Sequence, residues 1–165
     1  MTNNSFAHLH VHTEYSQLDG LGSPDKYAER ASELGFKYLG ITDHGSIDGL
    51  IKFQKACLQH NIKPILGCEL YIIPEIESGK KNKKRGHVCV YIKNQKGFEN
   101  ICKLLTFANL EGFYYRPRVT FEKLLDHCEG LVISTACVQS FIRVFDNGRE
   151  LFENLKEAIG EDLYC

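Results

Sequence analysis

The chain has no GxSxG elbow, no P-loop and no GxGxxG run, so the common fingerprints of serine hydrolases, nucleotide-phosphate binding and dinucleotide binding are absent. Net charge is almost absent too: 20 Lys and Arg oppose 21 Asp and Glu, for a balance of −1. Whole-molecule attraction to nucleic acid or to an anionic membrane is excluded as a driving force, and any phosphate affinity has to come from local groups or bound cations. No apolar run approaches a membrane span, and no secretory h-region follows Met1. The seven cysteines are odd in number and form no CxxC pair, which excludes a regular disulfide framework. Reduced thiols in a cytoplasmic protein are therefore expected. What is present is ordinary in bulk: 165 residues, 43% hydrophobic and 25% charged, enough for one domain with a sizeable core.

Short apolar runs alternate with helical patterns. Phe6 to Val11 reads as a strand, and Ser23-Pro24-Asp25 starts a helix, with Ser23 as N-cap, Pro24 at the first helical position and Gly35 as the stop. Tyr38 to Thr42 is a buried strand, with Asp43-His44-Gly45 expected just past its end. A helix follows from about Gly49 to His60, with Asn61 as its cap. Lys63 to Gly67 and Glu69 to Ile73 read as two strand segments separated by a bulge, and Glu75 to Gly86 as a polar loop. His87 to Ile92 is a strand, Phe98 to Leu110 a helix, and Thr120 with Glu122-Lys123 opens a short helix. Leu131 to Ile133 is a strand, Glu150 to Ile159 a helix, and Asp162 to Cys165 the opening of a further strand. This alternation predicts an α/β fold of βαβ units with parallel strands. Because the last strand is cut off as it begins, the chain is expected to be a fragment, with a partial barrel edge exposed.

One stretch is dense in chemistry: His8-Leu9-His10-Val11-His12, followed by Thr13-Glu14-Tyr15-Ser16 and Asp19-Gly20. On an extended strand residues two apart share a face, so the three imidazoles form a row. Neutral imidazole is the commonest metal ligand, and two side by side are half a metal site. Asp43-His44, Glu69, His87 and Cys137 also sit at or near the ends of apolar runs. In parallel α/β folds functional groups collect at the C-terminal ends of strands. His87 is the exception, because it starts its strand; a strand running the other way would reconcile it. Histidine and cysteine suit zinc, while carboxylates suit zinc, manganese or magnesium. Two ions about 3.5–4 Å apart activate a water and stabilise an in-line phosphoryl displacement without a protein nucleophile. The chemistry expected is a multi-metal hydrolytic site.

These motifs resemble those of the polymerase and histidinol phosphatase (PHP) superfamily. The run His8 to Ser16 with Asp19-Gly20 resembles its first motif, Ile41-Thr42-Asp43-His44-Gly45 its second and Gly67-Cys68-Glu69 its third; His87 before Val88-Cys89-Val90-Tyr91 resembles the next ligand position. Glu111 to Arg118 (EGFYYRPR), with Lys96-Gly97-Phe98, is similar to the branch at the N-terminus of bacterial DNA polymerase III alpha subunits. The resemblance spans nearly the whole chain. It implies a distorted (β/α)7 barrel, truncated here on its C-terminal side, holding up to three divalent metal ions (Zn, Mn or Mg). The implied ligands are His10, His12, Asp19, His44, Glu69, His87 and Cys137. Two departures stand out. The family completes its site with an Asp-x-His pair, before which this chain stops, and Cys137 is followed by Val138-Gln139-Ser140 where the branch has Leu, a small residue and Gly.

The remaining polar residues have more modest expectations. His8 should lie deeper than His10 and His12 and support them, Asp43 should orient His44, and His60 and His127 should be ordinary hydrogen-bonded histidines. The run Lys80 to Arg85 reads as a solvated loop, in which Lys83, Lys84 and Arg85 are candidates for steering an anionic strand. Core packing is the first expectation for the rings of Phe113, Tyr114 and Tyr115, with base stacking as the alternative; Arg116 is the better phosphate candidate. The function implied by the resemblance is metal-dependent phosphoesterase chemistry of a 3′–5′ exonuclease type at a DNA 3′ end, within a replicative polymerase. DNA and other replicase subunits would be its partners, with no polymerisation by this fragment and no membrane. The alternatives are a structural metal-binding module that stabilises the polymerase or docks an exonuclease, and a free-standing phosphatase of the histidinol phosphatase type. A reading frame that continues beyond Cys165 through Asp-x-His into a long polymerase is expected on the first reading, and a stop soon after that pair on the last.

Overall fold

A computed structural model describes residues 6–76 and 84–165. The chain divides into two compact units, Met1–Cys68 and Glu69–Cys165. The first contains helix α1 (Pro24–Glu33), strand β1 (Tyr38–His44), helix α2 (Leu50–Gln59) and the opening of strand β2 (Lys63–Ile73). α1 begins at Ser23, in extended conformation, and Pro24, whose missing N–H costs nothing in a first turn. It stops where Gly35 takes a φ of +74°. Ala28 and Ala31 on its inner face are buried, as are Phe53, Ala56 and Cys57 on α2, and the two helices pack together. Burial pushes the Cys57 thiol up to about 12, so it behaves as a small apolar core residue.

Residues 6–12 do not form the regular strand expected of them. They are tied to β1 by one parallel bridge, His8 to Leu39, and by Gly40 N donating to His8 O (2.7 Å) and Thr42 N to Val11 O (2.8 Å). The Thr42 hydroxyl takes the Val11 N–H (2.9 Å), so a side chain replaces a rung of the ladder. β1 runs two residues further than expected and includes Asp43 and His44. β2 is continuous from Lys63 to Ile73, without the expected bulge at Cys68.

The second unit holds the rest of β2 with β3 (Gly86–Ile92), α3 (Gln95–Leu110), β4 (Arg118–Thr120), α4 (Phe121–Asp126), β5 (Leu131–Ser134), α5 (Phe141–Val144), α6 (Gly148–Ile159) and β6 (Leu163–Tyr164). Its strands are hydrogen-bonded in the order β2-β3-β5-β6, with β4 on β2. The β2–β4 and β5–β6 pairs are parallel, but β3 and β5 are antiparallel, with Cys89 opposite Ser134 and Ile92 opposite Leu131. The fold is therefore mixed α/β with six strands. Among the described residues the sheet is not closed, and the expectation of uniformly parallel strands fails at β3. α3, β4 and α4 all lie between β3 and β5 in the chain, so this pair is not a simple βαβ unit and a connection of that length permits either sense. Two short elements went unforeseen, β4 after Pro117 and the single turn α5.

α3 is seated on the start of β5 by local chemistry. Asn94 caps it, accepting from Gly97 N (3.0 Å), while Asn100 Nδ2 donates to Glu129 O (2.8 Å) and Lys93 N to Gly130 O (3.0 Å). A Cβ on Gly97 would lie 1.9 Å from Gly130 O, so only glycine allows this approach. Gly97→Ala is expected to destabilise the chain by about 1–3 kcal/mol through overpacking, read as a lower urea midpoint at unchanged slope. A midpoint equal to wild type would contradict the packing described.

Candidate metal centre

In the first unit the donors are organised by a buried carboxylate. Asp43, 2% exposed at the end of β1, accepts from Thr13 N (2.6 Å) and Ser16 Oγ (2.6 Å) at Oδ1, and from Thr13 Oγ1 (2.7 Å) at Oδ2. Thr13 and Ser16 are themselves buried. Ser16 Oγ also accepts from His44 N (3.1 Å) and lies 3.3 Å from His12 Nδ1. Gly20 closes the turn that follows: its N–H donates to Ser16 O, and a Cβ there would meet Thr13 O at 1.8 Å. The loop between His12 and Gly20 is thereby wrapped on the end of β1.

This wrapping sets the imidazoles. The His10 and His12 rings lie 5.0 Å apart edge to face, and His12 stacks on His44 at 4.1 Å with 15° between planes. His44 Nε2 lies 2.9 Å from Asp19 Oδ2. Four of the expected ligands, His10, His12, Asp19 and His44, are thus brought together, and Asp43 reaches His44 through Ser16, whose hydroxyl bonds both. His8 departs from its expected place. It is exposed rather than deeper than its neighbours, with its ring packed against Phe6 (4.8 Å) and Phe36 (5.6 Å) on a stretch that a single bridge ties to β1. It lines an open cavity of about 440 Å³ with His10, His12 and the α1 side chains Tyr27, Arg30 and Ala31.

In the second unit the antiparallel β3 resolves the position of His87. Because β3 and β5 run in opposite senses, the N-terminal end of β3 lies beside the C-terminal end of β5, from which the Cys137 loop departs. His87 N donates to Gln139 O (2.8 Å), and His87 bridges Ser140 in parallel, which pins the loop to the strand. Val138-Gln139-Ser140 thus holds the loop through its backbone. Ala136, next to Cys137, takes a left-handed φ of +60°, a strained conformation of the kind that collects at functional loops. Glu69 Oε1 lies 3.1 Å from His87 Nδ1, and Cys137 Sγ lies 3.9 Å from Glu69 Oε1 and 3.8 Å from His87 Nδ1. All three donors fall within 4.8 Å of one another. Zinc bonds of about 2.0–2.3 Å place tetrahedral ligands roughly 3.3–3.8 Å apart, so a carboxylate, an imidazole and a thiolate at these separations fit such an ion.

The basic candidates each have their own contacts. Lys83 lies outside the described residues. Lys84 is 4.0 Å from Asp146, and the Arg85 guanidinium sits over the Tyr71 ring at 5.0 Å. Arg116 is exposed, and its carbonyl accepts from Tyr114 N. His127 hydrogen-bonds Lys123 O through Nδ1 (3.1 Å), in keeping with an ordinary role. Thr13 and Ser16 were missed as organisers of the loop. The signal was in the sequence, two hydroxyl residues three apart immediately behind the histidines, but their acceptor lies thirty residues away. No helix among the described residues is long and apolar enough to cross a membrane.

A mixed α/β chain with imidazoles and carboxylates grouped in one unit, and a carboxylate, an imidazole and a thiol grouped in the other, fits a class of metal-site domain. The family model described as "PHP domain" matches residues 8–165, and the chain belongs to that family. It is 46% identical over 138 residues to the DNA polymerase III subunit alpha of Helicobacter pylori and 37% identical over 174 residues to that of Aquifex aeolicus. Those alignments take in 83% and 96% of this chain but only 11% and 15% of the relatives, so the chain spans a small part of their length. Among solved structures, a Bifidobacterium adolescentis protein described as a candidate metal-dependent phosphoesterase superposes with a TM-score of 0.66 at 14% identity, covering 98% of this chain and 77% of its own. That likeness is one of fold.

Cys137 and Cys165 are the exposed free thiols, and Cys57 is buried. At about pH 8 iodoacetamide is expected to label Cys137 and Cys165 in the native chain and to spare Cys57. One equivalent of zinc should protect Cys137 and leave Cys165 reactive. Equal labelling of Cys137 with and without zinc would remove it from the ligand set.

Proposed function

We propose that this chain is the metal-dependent phosphoesterase domain at the N-terminus of a replicative DNA polymerase III alpha subunit, acting on the phosphodiester at a DNA 3′ end. The observation that carries this reading is the convergence of Glu69, His87 and Cys137, whose donor atoms lie within 4.8 Å of one another. Membership of the PHP family and the similarity to polymerase alpha subunits support the polymerase setting. On this reading the described strands are the earlier part of a (β/α)7 barrel, and DNA and other replicase subunits are the partners, in the cytoplasm. Up to three divalent ions, Zn, Mn or Mg, are held by the two donor groups.

A divalent ion bound there supplies an activated water and Lewis-acid stabilisation of a phosphoryl oxygen. The chain's own residues do the rest. Asp43, fixed by Thr13 and Ser16, holds the loop that carries His12 and Asp19 against the end of β1. Glu69 sits 1% exposed, and a carboxylate so buried is costly unless a positive group faces it. His87 presents Nδ1 to that carboxylate, while its backbone fixes the Cys137 loop.

The reading is tested by metal analysis and by 3′–5′ hydrolysis of an end-labelled single-stranded primer. Variants His10→Ala with His12→Ala, and His87→Ala with Cys137→Ser, are each expected to lose about one metal equivalent and at least about a hundredfold in hydrolysis. Unchanged metal content in both would sink the ligand assignment. Metal that raises the melting temperature without supporting hydrolysis would favour the structural-module reading instead.

A further inference from the structure

The proposed function leaves unused a set of aromatic and basic side chains in the second unit. Two of them lie close in the chain to the metal donors, Tyr71 on the same strand face as Glu69 and Arg85 just before β3. Tyr71 lies two residues after Glu69 on β2, and Arg85 lies two before His87 at the entry to β3. The Tyr71 ring meets His87 edge to face at 5.1 Å, and the Arg85 guanidinium covers Tyr71 at 5.0 Å. Tyr71 is also the register partner of Arg118 on β4. Arg118 is held by its own Nε donating to Gly112 O (2.9 Å), and its guanidinium lies 5.3 Å over the Tyr114 ring. Burial lowers the Arg118 pKa, and the nearby Arg85 charge adds to the effect, so two guanidinium groups share this region.

From Tyr114 the series runs outward. The Tyr115 ring meets Tyr114 edge to face at 4.6 Å, at the tip of a turn closed by Tyr114 N donating to Arg116 O. Tyr115 takes a left-handed φ of +58°, an unfavourable conformation for a tyrosine, and its side chain is 66% exposed. Phe113 beside it is 59% exposed. A core does not need two large rings held out in water on a strained turn between arginines. Flat rings with interleaved guanidinium groups are what a single nucleic-acid strand requires: rings stack on bases, and the cations meet phosphates.

We propose that Phe113, Tyr115 and Arg116, continued inward by Tyr114 and Arg85 and backed by the buried Arg118, form a track for single-stranded DNA that leads its end to the Glu69–His87–Cys137 cluster. The track deepens the proposed function by naming how the strand is held, and it rests on that reading only for its direction. The aromatic and basic contacts themselves need no metal.

The test is fluorescence anisotropy of a labelled oligothymidylate on the full chain, in EDTA, across a range of salt. Binding by the wild type is expected, with preference over a duplex of equal length. Arg116→Ala should weaken it and reduce the slope of log K against log salt by about 0.7, the signature of one lost phosphate contact on a single strand. Tyr115→Gly suits the left-handed backbone and so keeps the turn. It should weaken binding about tenfold with the salt slope unchanged, and Tyr115→Trp should restore affinity. Absent binding by the wild type, equal affinity for duplex, or unaltered affinity in both Arg116→Ala and Tyr115→Gly would overturn the track. Oligothymidylate binding by a chain that takes up no metal would uphold the track and defeat the metal reading. Metal uptake with no oligothymidylate binding would do the reverse.

Discussion

A carboxylate at 2% exposure, Asp43, accepts three hydrogen bonds of 2.6–2.7 Å from two residues some thirty positions earlier in the chain. Hydrogen bonds to a charged acceptor are the strong ones, and removing one partner of a buried set leaves the others to pay desolvation. The segment from His12 to Gly20 has turns but no helix or ladder of its own, so these bonds are what ties it to the end of β1. They put Ser16 between His12 and His44, and with it the stacking of the two imidazoles at 4.1 Å. Cys68 Sγ, at the end of the same unit, donates to Asp43 O (3.3 Å), so the backbone of this residue is held as well as its side chain.

The second unit reaches a comparable concentration of donors by topology. His87 begins a strand, a position that would separate it from the other strand-end groups if the sheet were uniformly parallel. Antiparallel pairing with β5 turns that end round and sets it against the Cys137 loop. The loop itself is short and strained at Ala136, and is held by backbone bonds from both sides. Rigid strands and a pinned loop suit metal ligands, whose positions have to be held to a few tenths of an ångström before the ion arrives.

Much of this was legible in the sequence because it rests on local rules. Ser23-Pro24 and Gly35 bound α1, Asn61 takes the left-handed conformation expected of a helix-end asparagine, and Thr120 caps α4 by accepting from Lys123 N (3.2 Å). The candidate donors stood out because their spacing resembles a family pattern, and the structure groups them within each unit. What escaped depended on distant partners. His8 is exposed instead of deep because its ring packs on Phe6 and Phe36, the latter almost thirty residues away. Asp43 and His44 bond Thr13 and Ser16 across some thirty residues, contacts that no local propensity announces. β4 is three residues long and exists only because β2 offers it a parallel edge at Tyr71–Ile73.

The central claim is that a divalent ion is held by a carboxylate, an imidazole and the Cys137 thiolate. Zinc K-edge absorption spectroscopy on the chain loaded with one equivalent of zinc reads the ligand shell directly. The account predicts a sulfur scatterer at about 2.3 Å alongside nitrogen and oxygen at about 2.0–2.2 Å, with the sulfur lost in Cys137→Ser and retained in Cys165→Ser. A shell of nitrogen and oxygen alone in the wild type, or sulfur that survives Cys137→Ser, would contradict it.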